Sequence, residues 1–112
     1  MNWIPLTQLE QLTSIKELSA TKPQVIFKHS TRCSISSMAL TRLERAITAP
    51  PADFYYLDLI AYRNISNAIA EEFDVYHESP QILLIKNGEC TYDESHSGIS
   101  MDELTEQVLQ PQ

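Results

Sequence analysis

Cys33 stands in Ser30-Thr31-Arg32-Cys33-Ser34-Ile35-Ser36, where the apolar run Val25-Ile26-Phe27 gives way to a helical pattern. A thiol at such a junction lies against the amino end of a helix, whose unpaired N–H groups and dipole favour an anion. The thiolate is the nucleophilic form of cysteine, so this placement predicts a reactive sulfur. Helix amino ends with cations nearby lower a thiol pKa from about 8.5 to roughly 3.5–7.5. Arg32, Lys28 and His29 are the nearest cations in sequence. Lys28 and His29 alternate along a strand, so only one of them can face the thiol. Thr31, Ser34 and Ser36 carry hydroxyls able to donate to the sulfur, which favours its charged form. Ser36 is equally suited to starting the helix. The competing fate of Cys33 is that of a small buried hydrophobe. No second cysteine follows at dithiol spacing, so a reactive Cys33 works alone.

Other chemistries find little support. His29, His77 and His96 show none of the short spacings of zinc ligands, so no metal site is expected. With only two glycines there is no phosphate-cradling loop, and no nucleophile elbow is present. A formal charge of −7, with eight scattered basic residues, argues against a nucleic-acid partner.

The 112 residues make one domain, 1–112, large enough for a real core without disulfide staples. A hydrophobic share of 43% and a charged share of 21% are ordinary for a soluble protein. Met1-Asn2-Trp3-Ile4-Pro5-Leu6-Thr7-Gln8 lacks the basic start and long apolar stretch of a secretory signal. No run reaches membrane-spanning length. The expectation is a cytoplasmic protein, off the membrane, with both cysteines reduced at rest.

Thr7-Gln8-Leu9-Glu10 has capping-box spacing, and Leu9, Leu12, Ile15 and Leu18 recur on one face. They predict a first helix to about Ala20, stopped by Lys22-Pro23. Gln24 to His29 reads as a buried strand. From Cys33 to about Ala49, a helix presents Ile35, Ala39, Leu43, Ala46 and Ile47 as its apolar face. Phe54-Tyr55-Tyr56-Leu57-Asp58-Leu59 is rich in strand formers. Ile65, Ile69 and Phe73 mark a third helix with Asn64 as candidate cap. Ile82-Leu83-Leu84-Ile85 is a buried strand, turned back by Asn87-Gly88 into the strand of Cys90 and Tyr92. Ser100-Met101-Asp102-Glu103 repeats the capping-box spacing ahead of Leu104 and Val108, the last helix. A short opening strand at Trp3-Ile4 fits as well.

A strand–helix–strand unit demands a parallel pair and an Asn-Gly turn an antiparallel one, so the sheet is mixed. Helices must cover both of its faces. The fold class is α/β: a thioredoxin-like three-layer α/β/α domain with a mixed central sheet of four to five strands.

Two stretches carry a family likeness. Ile69-Ala70-Glu71-Glu72-Phe73-Asp74-Val75, followed by Ser79-Pro80-Gln81-Ile82-Leu83-Leu84-Ile85-Lys86-Asn87-Gly88-Glu89, resembles the second half of thioredoxins. Phe27-Lys28-His29-Ser30-Thr31-Arg32-Cys33-Ser34-Ile35-Ser36 resembles the active-site segment of the YtxJ family, the small monothiol bacilliredoxins of bacteria. The likeness spans about Val25 to Gly98. It implies a cis Pro80 that sets the preceding backbone, at Ser79, beside the thiol to pair with an incoming chain. By itself, Pro80 reads as a strand-opening proline.

The departures are informative. Ser36 stands where a thioredoxin has its resolving cysteine, and Phe27 where it has a buried acid. Cys33-Ser34-Ile35-Ser36 is also similar to the Cys-Gly-Phe-Ser motif of monothiol glutaredoxins, but with Ser34 in place of glycine. In glutaredoxin-like relatives, backbone N–H groups at the start of the last helix hold a carboxylate of the cosubstrate. Ser97, Gly98 and Ser100 match that place loosely, and a plain loop and cap fit them equally well.

The resemblance implies a monothiol thiol–disulfide oxidoreductase with no bound cofactor. Its cosubstrate is a low-molecular-weight thiol, bacillithiol or glutathione. Its partners are client proteins carrying mixed disulfides, the small thiol and a reductase. The alternatives are an iron–sulfur cluster carrier of the monothiol-glutaredoxin kind and a redox-inactive peptide-binding module. Cys90 lies just past a strand that leads away from Pro80 for about 26 Å at 3.3 Å per residue. A disulfide needs Cα atoms within about 7 Å, so no Cys33–Cys90 bond is expected and Cys90 reads as structural.

Overall fold

The computed structural model describes residues 1–111. Chain order is β1 (Trp3–Pro5), α1 (Glu10–Leu18), β2 (Gln24–His29), α2 (Ser34–Glu44), β3 (Asp53–Asp58), α3 (Arg63–Glu72), β4 (Gln81–Lys86), β5 (Glu89–Ser95) and α4 (Met101–Leu109), with a 3₁₀ turn at His96–Gly98. One five-stranded sheet runs in the order β1-β3-β2-β4-β5. β1 and β2 lie parallel to β3; β4 is antiparallel to β2, and β5 to β4. The sheet is mixed for the reasons its connections dictate.

β2 is buried along its whole length, and its side chains alternate between two cores. Val25 and Phe27 pack with Ala39 and Leu43 of α2 and with Leu104 and Val108 of α4. Ile26 packs on the other face with Leu12 and Ile15 of α1 and Ile65 and Ile69 of α3. Two helices on each face complete the three layers. The same alternation sends Lys28 toward the α1/α3 face and His29 toward the α2/α4 face.

Several local expectations need correction. The Thr7–Glu10 capping box does not form, because α1 starts at Glu10 and leaves Thr7 too far upstream. Gln11 does the work instead, its Oε1 accepting the N–H groups of Thr7 (2.8 Å) and Gln8 (2.9 Å). Leu9 and Leu18, at the two ends of this short helix, are each 46% exposed, leaving Leu12 and Ile15 as its buried face. α2 ends at Glu44, so Ile47 lies beyond it and is fully solvent-exposed, and Ile35 is exposed too. Asn64 lies inside α3, whose cap position is Tyr62 without a side-chain hydrogen bond.

Other local signals form as read. Asn87 and Gly88 turn with φ of 51° and 79°. Their N–H groups donate to the carbonyl (2.9 Å) and Oγ (2.8 Å) of fully buried Ser19. Ser100 Oγ accepts the Glu103 N–H at 3.2 Å to start α4. Lys86 Nζ donates to the carbonyls of Gln107 (2.8 Å) and Gln110 (2.9 Å), closing that helix's other end.

Candidate active site

α2 opens on Cys33, which holds the cap position with extended backbone (φ −111°, ψ 123°). Its N–H donates to the Ser30 carbonyl (3.1 Å), and its own carbonyl accepts the Ser37 N–H (3.0 Å). The thiol is half-buried and unpaired, and it takes no hydrogen bond from the helix's first N–H groups. The first turn of α2 contains no acidic residue, so nothing there opposes the helix dipole. Thr31, Arg32 and Ser34 are exposed. Arg32 makes no ion pair among the described residues.

Ser36 points inward. It is fully buried, its Oγ accepting the Ser30 N–H (2.9 Å) and lying 2.7 Å from His29 Nδ1. A single hydroxyl thus ties α2 to the end of β2 and to the start of the loop that carries the thiol. His29 stacks on Phe27 with ring centroids 5.7 Å apart and lies 5.4 Å from the Tyr56 ring. Burial holds His29 below its ordinary range, against the opposing pull of Asp58, the Ser36 hydrogen bond and Glu44. At neutral pH His29 is an uncharged partner of Ser36, not a cation beside the sulfur.

The register of β2 and β4 brings the second half of the site to the same sheet end. Lys28 pairs with Gln81, so one step further along the ladder His29 lies beside Pro80. Neighbouring strands are about 4.8 Å apart, which places the Ser30–Cys33 loop and the Ser79–Pro80 pair at one edge. The Ser79–Pro80 peptide is cis. Pro80 is buried, with its carbonyl accepting the His96 N–H at 3.0 Å. Ser79 Oγ is buried without a hydrogen-bond partner among the described residues.

Ser97 and Gly98 belong to the 3₁₀ turn before α4, not to its amino end. That turn is fastened to α2 by Arg42, whose Nη2 donates to the His96 carbonyl (3.0 Å) and Nε to the Ile99 carbonyl (3.2 Å). Gly98 faces the Glu94 side chain, which a Cβ there would meet at 2.6–2.9 Å. The first turn of α4 already carries Asp102 and Glu103. An incoming carboxylate would meet three acids here, so the expected anion cradle is electrostatically poor.

Cys90 sits opposite Ile85, at the end of β4 remote from Pro80, and packs on the α1/α3 core. Its Sγ donates to the Tyr92 carbonyl at 3.4 Å. Burial, with help from Asp93, pushes the thiol up to about 11. Among the described residues no three His, Cys, Asp or Glu side chains are grouped to hold a metal ion.

A lone half-buried thiol at a helix start, with a locked serine in the resolving position, agrees with what the comparisons return. The family model for the monothiol bacilliredoxin BrxC matches residues 4–104. The chain belongs to the monothiol bacilliredoxin family. It is also similar to a solved structure described as a putative oxidoreductase with a thioredoxin fold. Identity there is 31%, coverage is 92% of this chain and 90% of that one, and the TM-score is 0.77. A redox protein from Chlamydomonas reinhardtii (17% identity, TM-score 0.76) matches 98% of this chain and 36% of its own. Thioredoxin O2 from Arabidopsis thaliana (18% identity, TM-score 0.70) matches 96% of this chain and 95% of its own. The last two establish the fold, and membership of the family establishes a redox protein.

One pairing in this bacilliredoxin-family chain was not legible in the sequence pattern. Lys28 is fully buried, and its Nζ lies 2.9 Å from Nδ1 of His77, which is also 3.3 Å from Ser66 Oγ. A lysine beside the apolar run Val25-Ile26-Phe27 was the available signal, but its partner lies in the loop after α3.

Proposed function

We propose that Cys33 removes a low-molecular-weight thiol, bacillithiol or a close chemical relative, from mixed disulfides on client proteins. The Cys33 thiolate attacks the small thiol's sulfur. The bond between that sulfur and the client breaks, a new S–S bond joins the small thiol to Cys33, and the client leaves as a thiolate that takes up a proton. A second small thiol, as its thiolate, then attacks the disulfide on Cys33. It frees the enzyme and forms a small-thiol disulfide, which a reductase returns to two thiols with two electrons.

The observation that carries this reading is the pairing of Cys33 with Ser36. A dithiol enzyme would expel the small thiol from the first sulfur with a second one at that position, whereas Ser36 is a hydroxyl bonded to Ser30 and His29. The small thiol must therefore leave by an external attack. Ser79 and Pro80 form the near wall of the proposed groove, and Arg32 is the exposed cation closest in sequence to the thiol. Gly98 is left out of it because Glu94 faces it, and Ser97 belongs to the same 3₁₀ turn.

The test is single-turnover reaction with a client protein capped by bacillithiol or, in parallel, by glutathione. Intact-mass and peptide analysis should find the small thiol on Cys33 and none on Cys90. Transfer that survives Cys33→Ala would refute the assignment, and the faster of the two capped substrates identifies the cosubstrate.

A further inference from the structure

We propose that Lys28 is a positioning residue: it holds the segment carrying Pro80 through His77, and so sets how tightly a protein-borne disulfide docks beside Cys33. This deepens, and rests on, the oxidoreductase reading of Cys33. Lys28 is fully buried in the middle strand of the sheet, and no carboxylate pairs with it among the described residues. A buried ammonium without an acidic partner is costly, and apolar replacements of buried charges are often as stable or more so. The chemistry at Cys33 has no use for it, since it points to the opposite face. What an ammonium does that a methyl group cannot is select one acceptor.

That acceptor is His77 Nδ1, 2.9 Å from Lys28 Nζ. An ammonium has no lone pair, so Nδ1 must accept, and the ring is neutral with its proton on Nε2. Ser66 Oγ at 3.3 Å brings α3 into the same contact. His77 lies in the connection between α3 and β4, three residues before Pro80. Gln81 supports that connection from β4, its Nε2 donating to the Tyr76 carbonyl (3.0 Å) and its Oε1 accepting the Glu78 N–H (3.4 Å). The Lys28–His77 bond thus links the strand that leads into Cys33 with the segment that leads into Pro80.

The charged groups facing the pair are Glu78 and Arg63. Burial lowers Lys28 to about 8 against the attraction of Glu78, which leaves it charged at neutral pH. Burial, Lys28 and Arg63 hold His77 below its ordinary value of 6.5. Acid therefore breaks the contact, because a protonated His77 presents a donor to a donor. Alkali does not, since a neutral amine can accept from the other histidine tautomer.

The experiment compares the full-length parent with Lys28→Met, His77→Phe and His77→Gln. The probe is a small single-cysteine protein capped with bacillithiol or glutathione. Lys28→Met and His77→Phe should raise KM about five- to tenfold, the size of an ordinary lost hydrogen bond. In both, kcat and the alkylation rate of Cys33 should stay within about twofold of the parent. Lys28→Met should melt no lower than the parent. His77→Gln keeps an acceptor oxygen for Lys28, so its KM should match the parent at neutral pH. It should also lack the rise in KM expected of the parent as pH falls below about 6.5, since His77 is held under its ordinary value. Unchanged KM in Lys28→Met and His77→Phe overturns the proposal. So does a Lys28→Met KM defect accompanied by a lower melting temperature and not reproduced by His77→Phe. Backbone hydrogen exchange at residues 75–79 decides the contact without any substrate. It should quicken at least about fivefold in Lys28→Met, and unchanged exchange also overturns the proposal. A parent that turns over neither capped probe sinks the reading of Cys33 instead, while exchange still reports on Lys28.

Discussion

Cys33 and Cys90 are the same residue type with the same intermediate exposure, yet their surroundings ask opposite things of the sulfur. Cys90 lies in a hairpin strand against the α1/α3 core, where burial and Asp93 push its thiol up to about 11. Cys33 occupies the cap position of α2, whose first turn holds no acid. One site penalises negative charge; the other lies at the positive end of a helix dipole. The proposed difference in reactivity rests on location in the fold, because accessibility alone does not separate the two thiols.

The harshest way to break this contrast is to exchange the roles. Cys33→Ala should abolish transfer from a capped protein, a loss of at least about a thousandfold. Cys90→Ala should keep turnover within about twofold and lose on the order of 1 kcal/mol of stability from a partly filled site. Activity in the first variant, or its loss in the second, would reverse the assignment of the two sulfurs.

Labelling sharpens the contrast without turnover. A thiol-directed probe should modify Cys33 in the Cys90→Ala protein at neutral pH. The Cys33→Ala protein should stay unlabelled there and begin to react only as pH climbs toward about 11, where the Cys90 thiolate forms. Because the reactive species is the deprotonated one, the sign is fixed: Cys90 labelling rises with pH. Neutral-pH labelling of Cys90 at a rate like that of Cys33 would erase the distinction.

The next effect concerns what holds Cys33 in place. Ser36→Ala leaves the Ser30 N–H and the buried His29 ring without their common partner, so stability should fall by about 1–3 kcal/mol in denaturant melts. Turnover should fall with it if the hydroxyl positions the thiol loop. A variant as stable as the parent would show that the buried pair is not a fastening.

The smallest effects compare the two helix starts. Ser100 caps α4 by accepting the Glu103 N–H, and Ser100→Ala should cost about 1 kcal/mol. Cys33 takes no such bond, so Cys33→Ser installs a good cap where there was none. It should be inactive yet more stable than Cys33→Ala by up to about 1 kcal/mol. Equal melting of the two would mean that the first N–H groups of α2 are already satisfied by water.

The same comparison bears on the anion cradle expected at Ser97, Gly98 and Ser100. The amino ends of α2 and α4 look alike as sequence, each a small polar residue ahead of an apolar pattern. Only α4 carries acids in its first turn, Asp102 and Glu103, and the fold adds Glu94 against Gly98. Negative charge already set at this end of α4 by the chain itself argues against an external carboxylate there.

Local pattern was enough for the strand of Gln24–His29, the Asn87-Gly88 turn, the Ser100 cap and the position of Cys33 at a strand-to-helix junction. Each depends on neighbours a few residues away, through side-chain alternation, tolerance of positive φ, or the unpaired N–H groups of a helix start. What sequence could not supply was everything set by contact at long range. The burial of Ser36 against His29, the exposure of Leu18, Ile35 and Ile47, the pressing of Glu94 on Gly98, and the meeting of Lys28 with His77 across 49 positions all came from packing. Periodicity tells which side of an element a residue is on. Only the assembled sheet and its helices decide what waits on that side, and hence whether a charge, a thiol or a hydroxyl finds water, a partner or apolar wall.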